Sequence, residues 1–211
     1  MVLESQRENV DPMLSAISKH FSKVNPDVFT WLSVVFAFIA GLFFYFSSPG
    51  YELGNFYLYA AALFVFLNGL FDAMDGKIAK IANKVSVRGD FLDHALDRYA
   101  DIFMVGGLAL SAWCDIRIGF LAIVGMLLTS YMGTQAQAVG YKRDYSGLLG
   151  RADRLVLLMI APLIQHILLI YNVQLPFGFW LLEWVLIYFA VVGNITAIQR
   201  FIGTLRWFKR P

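Results

Sequence analysis

Six apolar stretches, each long enough to cross a lipid bilayer, leave this chain few folds to choose from. They run at roughly 29–48, 55–79, 91–113, 118–140, 153–172 and 176–204. Each reaches the ~20 residues that a helix needs to cross a ~30 Å hydrocarbon core, and the second, third and sixth can extend past the bilayer at one end. Composition agrees: 59% of the 211 residues are hydrophobic and 15% are charged, against roughly 25% charged in an average soluble domain. The expected class is an all-α integral membrane protein with six transmembrane helices.

Ahead of the first stretch, Met13, Leu14, Ile17 and Phe21 recur at helical spacing among polar neighbours. They predict a juxtamembrane amphipathic helix over 10–24, lying on the membrane surface. Asn25–Pro26 then reads as a helix start, with Asn as the cap and Pro at the first position. The first 28 residues hold no apolar core of a signal peptide, so no cleavable leader is expected. The division that follows is a segment with an interfacial helix over 1–28, a six-helix unit over 29–205 and a tail over 206–211. Gly140–Gly147 is the most loop-like internal stretch, and the turns at Ser47–Gly50 and Asn172–Pro176 are short. The single cysteine, Cys114, excludes an intrachain disulfide and argues against a zinc or redox role.

Sixteen of the seventeen Lys and Arg residues fall at the two termini and in the second-to-third and fourth-to-fifth connections, leaving Arg117 alone on the other side. The positive-inside rule therefore predicts a multi-pass cell-membrane protein with both termini, and the acidic residues described next, facing the cytoplasm. A net charge of +2 is too small to suggest nucleic-acid binding.

Two apolar helical segments each carry an acidic pair, Asp72 with Asp75 and Asp93 with Asp97. At spacings of three and four, each pair shares one helix face. Carboxylates at membrane depth are costly and functional by default. Two such faces turned together put four carboxylates in one pocket, where like charges need cations to remain ionised. Hard divalent ions with oxygen ligands are the natural counter-charge. A metal site is the expectation, and a divalent-cation transporter is the alternative from another class; transporters often show inverted repeats, and none is evident here.

Residues 72–97 read Asp-x-x-Asp-Gly-x-x-Ala-Lys, eight residues, then Gly-x-x-x-Asp-x-x-x-Asp. This resembles the signature of the CDP-alcohol phosphatidyltransferase family, matching seven of its eight fixed positions: Asp72, Asp75, Gly76, Ala79, Gly89, Asp93 and Asp97. Lys80 stands where that family has arginine, and lysine cannot make the planar bidentate fork. The resemblance implies a CDP-lipid donor, a hydroxyl acceptor and release of CMP. It also implies two divalent ions, Mg²⁺ or Mn²⁺, bridged by Asp72 and Asp93, with Asp75 on one ion and Asp97 on the other, and Asp97 as general base. Two cations would steady the attacking and leaving oxygens. Gly76 fits a nucleotide that approaches the backbone closely.

The start Asn25–Pro26–Asp27–Val28–Phe29–Thr30 resembles the family's donor-binding segment, which makes Asp27, Val28, Phe29 and Thr30 candidates for the CDP-lipid, together with Gly76, Lys80 and Ser86. Arg151, Arg154 and Arg200 are the candidates for an acceptor phosphate. Arginines opening a helix oppose its dipole, so something anionic should compensate them. Gly147–Arg154 and Thr196–Arg200 resemble the phosphatidylinositol-phosphate synthase branch, whereas Gly133 and Gln135 look more like its archaeal, archaetidyl-transferring relatives. The implied acceptor is inositol phosphate; glycerol phosphate, serine and free inositol are the alternatives within the same chemistry. The resemblance also implies a homodimer in the bilayer.

Three further residues lie near the motif. Asp90 reads as a first-turn acid favoured by the helix dipole, Asp101 as a deeper acid paired with Arg98 or Arg200, and His94 as a neighbour on another face. Gly106–Gly107 reads as a place of close helix approach.

Overall fold

The computed structural model describes residues 7–50, 52–141 and 147–208, with no side-chain detail for 7–10 and 52–55. The loop over 142–146, which carries Lys142 and Arg143, and the tail residues Lys209 and Arg210 lie outside the described residues. Seven helices form: α1 Arg7–His20, α2 Pro26–Phe46, α3 Glu52–Ile81, α4 Val87–Ala109, α5 Ile116–Ala138, α6 Arg151–Ile170 and α7 Leu181–Phe208. There is no strand among the described residues. The protein is all-α, with a short helix leading into six long ones.

Five of the six, α2, α3 from Phe56, α5, α6 and α7, are long and apolar enough to cross a membrane. At 23 residues α4 has the length, but Asp93, Asp97, Arg98 and Asp101 interrupt its middle. Those charges are tolerable because protein surrounds them: α4 packs against α2 and α5.

Helix starts follow local chemistry. The Asn25 side chain accepts from the Asp27 N–H at 3.2 Å, with Pro26 at the first position. Ser86 Oγ accepts from the Gly89 N–H at 3.1 Å and opens α4. Between α3 and α4 the chain turns at Asn83, whose φ of 53° is left-handed, a conformation that Asn tolerates better than most residues. Lys84 N–H closes that turn on the Ala79 carbonyl at 2.8 Å. α7 begins later than the apolar pattern suggests, because Pro176–Gly178 forms a separate 3₁₀ turn before it. There Gln165 Oε1, from α6, accepts from the Leu181 N–H at 2.8 Å and caps the new start.

α2 packs on α3 and α4, and α5 packs on α7; α3 with α6 and α4 with α5 join these groups. In lipid, small residues let helices approach closely. A Cβ on Gly107 of α4 would overlap the Gly41 backbone of α2, and one on Gly41 would overlap the Phe103 carbonyl. Gly106, by contrast, faces open space, so the close approach belongs to Gly107 alone. α1 lies against α3: Leu14 packs on the cluster of Phe29, Met74 and Ile78, Lys77 bridges to Asp11 at 2.6 Å, and Met13, Ile17 and Phe21 stay exposed.

Candidate active site

The α3–α4 turn folds two acidic helix faces onto each other. Ligand oxygens of Asp72, Asp75 and Asp93 all lie within 4.8 Å of one another, and so do ligand atoms of Asp93, His94 and Asp97. Asp93 is common to both groups. Asp75 and Asp97 are buried, at 6% and 8% exposure. Asp72 Oδ1 and Asp75 Oδ2 are buried without a hydrogen-bond partner. An unpaired buried acceptor costs on the order of 1–3 kcal/mol, and a carboxylate more. Several carboxylates from two helices, with orphaned oxygens among them, make a donor set suited to a hard divalent cation.

Behind the acids stand three arginines. Arg151, at the first position of α6, donates through Nη1 to Asp72 Oδ2 at 2.7 Å and bridges to Asp97 Oδ1 at 2.6 Å. Arg154, one turn on, donates to Asp101 Oδ2 at 2.7 Å. Arg98 lies 3.2 Å from the same Asp101 oxygen, donates to Ser130 Oγ, and reaches Asp97 at 3.5 Å. Asp101, itself buried, is thus a hub for guanidiniums, with Arg151 Nε also 3.8 Å away. Arg200 sits apart from this web in the described contacts: it is buried on α7 and donates to the Thr129 carbonyl of α5 at 2.6 Å. The loop before α6 nevertheless reaches α7, for a Cβ on Gly147 would overlap the Thr196 side chain, one turn from Arg200.

On the other side of the acids lies the start of α2. Thr30 is buried beside Asp75, and its hydroxyl donates to the Pro26 carbonyl at 3.5 Å. Asp27 is bridged to Arg88 of α4 at 2.5 Å. Val28 is exposed, whereas the Phe29 ring is buried with Met74 and Ile78 and packs on Phe21 and Phe71. Gly76 and Lys80 are exposed, and nothing lies within 4 Å of a Cβ built on Gly76. Ser86 is exposed and serves as the α4 cap. His94 pairs with Asp90 at 3.2 Å and with Asp93 at 3.5 Å.

Sequence reasoning overlooked Arg98 as a site residue and underrated Asp101. Their spacing of three on α4 was the available signal; Arg154, which meets Asp101 from 53 positions away, gave none.

Residues 23–196 match the model of the CDP-alcohol phosphatidyltransferase family. The chain belongs to that family. Among its relatives, the archaetidylinositol phosphate synthase of Pyrococcus horikoshii is 25% identical over 94% of both chains. The phosphatidylinositol phosphate synthase of Streptomyces avermitilis is 30% identical over 87% of this chain and 73% of its own. The fold matches the crystal structure of the Mycobacterium tuberculosis phosphatidylinositol phosphate synthase with CDP-DAG bound, at a TM-score of 0.69 and 24% identity, covering 92% of this chain and 94% of that one. The same synthase has been solved in complex with manganese and citrate. This chain is therefore a multi-pass membrane enzyme, a CDP-alcohol phosphatidyltransferase.

Proposed function

We propose that the enzyme transfers a phosphatidyl or archaetidyl group from a CDP-lipid to inositol phosphate, with release of CMP. The observation that carries the acceptor assignment is the cluster of arginines, the partly buried Arg98 and Arg151 and the buried Arg154, set directly behind the acidic pocket. Asp101, Asp72 and Asp97 already pair these arginines, but guanidiniums at the edge of the pocket suit an acceptor that carries a phosphate, which accepts their hydrogen bonds readily, better than a neutral one. The names of the relatives agree.

Within this reading Asp72, Asp75, Asp93 and Asp97 hold two divalent cations, Mg²⁺ or Mn²⁺, which supply positive charge to the donor diphosphate. The chain's own groups do the rest. Asp97 takes the proton from the acceptor hydroxyl. The freed oxygen bonds to the β-phosphorus of the donor as the bond from that phosphorus to the CMP oxygen breaks, and CMP leaves with the electron pair. The start of α2, Asp27 to Thr30, together with Gly76, Lys80 and Ser86, forms the donor side. Gly76 leaves open the space that a nucleotide needs. Arg151, Arg154 and Arg200 form the acceptor side, and Arg98 joins them. The unit over 29–205 carries the site together with the first residues of α2, which starts at Pro26, and the site faces the cytoplasm by the distribution of basic residues.

The test is CMP release by purified protein given Mg²⁺ or Mn²⁺, a CDP-lipid and either inositol phosphate or glycerol phosphate. Release should require inositol phosphate and fall by about 10²–10⁴ in Asp97→Asn, the range for loss of a positioned base. Release with glycerol phosphate alone would overturn the acceptor while keeping the chemistry.

A further inference from the structure

Arg151 reaches across the gap between the two acidic helices. A single nitrogen, Nη1, touches Asp72 of α3 and Asp97 of α4, at 2.7 and 2.6 Å. The rest of the guanidinium is poorly served: Nε and Nη2 are buried without a hydrogen-bond partner. At 3.8 Å from Asp101, Nε is beyond hydrogen-bond distance. A guanidinium kept only to brace two helices would be expected to use its fork, two parallel N–H groups on one carboxylate. This one acts instead as a point of positive charge between two carboxylates.

We propose that Arg151 is a resident counter-ion that gives way to the second divalent cation, and that this exchange releases its guanidinium to the acceptor phosphate. The inference rests on the two-cation, inositol-phosphate reading above. Its physical basis is competition for the same two carboxylates, Asp72 and Asp97. Asp72 Oδ2 and Asp97 Oδ1 cannot hold Nη1 at 2.7 and 2.6 Å and ligate a cation in the same place, and two positive centres that close repel. A phosphate offers the departing guanidinium a new anion. Cation and acceptor should then help each other to bind, each raising the other's affinity by the same factor.

The experiment titrates Mn²⁺ into the purified full-length protein, following free Mn²⁺ by electron paramagnetic resonance, with and without inositol phosphate. Wild type, Arg151→Gln and Arg151→Lys are compared. The expected result is two sites in the wild type, the weaker one tightened at least tenfold in Arg151→Gln with the stronger one unchanged. Inositol phosphate should tighten the weaker site in the wild type and lose that effect in Arg151→Gln, while Arg151→Lys keeps part of it. The wild-type linkage alone decides the matter should the variants misfold. Two sites in the wild type that ignore inositol phosphate, or a weaker site that Arg151→Gln loosens, would overturn the exchange and leave the proposed function standing. Failure of the wild type to bind Mn²⁺ would remove both.

Discussion

Asp101 takes Arg98 at 3.2 Å and Arg154 at 2.7 Å, with Arg151 at 3.8 Å, on a side chain only 3% exposed. The two closely paired side chains differ in what they would leave behind. Arg98 is partly exposed, and its loss would still leave Asp101 with Arg154. Arg154 is 2% exposed, and its removal would take away the shortest contact to a buried carboxylate. Breaking a buried pair by deleting one partner costs about 3–5 kcal/mol when the surviving charge has no other partner, and Arg98, still 3.2 Å from Asp101, puts this case at the lower end. Arg154→Ala should therefore destabilise the folded protein by that order, while Arg98→Ala costs clearly less. Loss of monodisperse protein on heating in detergent, followed by size exclusion, would measure both. Adding Asp101→Asn to Arg154→Ala should recover part of the loss, since the stranded charge is then absent; no recovery would mean that Arg154 acts through packing and not through Asp101.

Helix packing makes its own prediction at neighbouring glycines. A Cβ at position 107 would meet the Gly41 backbone of α2, which cannot rotate away, so α2 and α4 must part. Overpacking of this kind costs typically about 1–3 kcal/mol. The same methyl at position 106 meets open space, and alanine is the better helix former by about 0.5–1 kcal/mol. Gly107→Ala should lower thermal stability and Gly106→Ala should leave it unchanged or raise it; equal effects would refute the α2–α4 contact. The amino-acid pattern pointed to this glycine pair without saying which member mattered, because the choice depends on how α4 is rotated against α2. The elements themselves were easier to read. Apolarity marked all six long helices, although charges interrupt α4 and only five are apolar enough to cross a membrane, and caps such as Asn25 and Ser86 explain why α2 and α4 start a few residues before their apolar runs. α7 was placed early because apolarity runs through Pro176–Gly178, where backbone geometry and not hydropathy makes the break. The acidic pairs were legible because each lies on one helix at a spacing of three or four. The arginine web was not, since Arg151 and Asp72 are 79 positions apart and no periodicity within a helix reports such a contact.

At the scale of the whole molecule, the acidic pocket, the α3–α4 turn and the start of α6 gather at one end of the bundle, and the Trp113–Ser47 bond at 2.7 Å and the α6–α7 turn mark the other. Charge follows the same division, with Arg117 the lone Lys or Arg of the second end among the described residues. The positive-inside rule then predicts a pocket on the cytoplasmic side, where the CMP and inositol phosphate of the proposed function could come and go. Chemical labelling can test this, though the native thiol is a poor reporter. Burial, followed by the nearby Glu183 carboxylate, pushes Cys114 up to about 12, so little reactive thiolate exists near neutral pH. Two exposed positions serve better in a Cys114→Ser background: Gln174 in the α6–α7 turn and Lys84 in the α3–α4 turn. In intact cells a membrane-impermeant maleimide should label Gln174→Cys and spare Lys84→Cys, and lysis should make Lys84→Cys reactive. The reverse pattern would place the pocket outside the cell, away from a cytoplasmic supply of both substrates, and would require a different account of why the basic residues collect at one end.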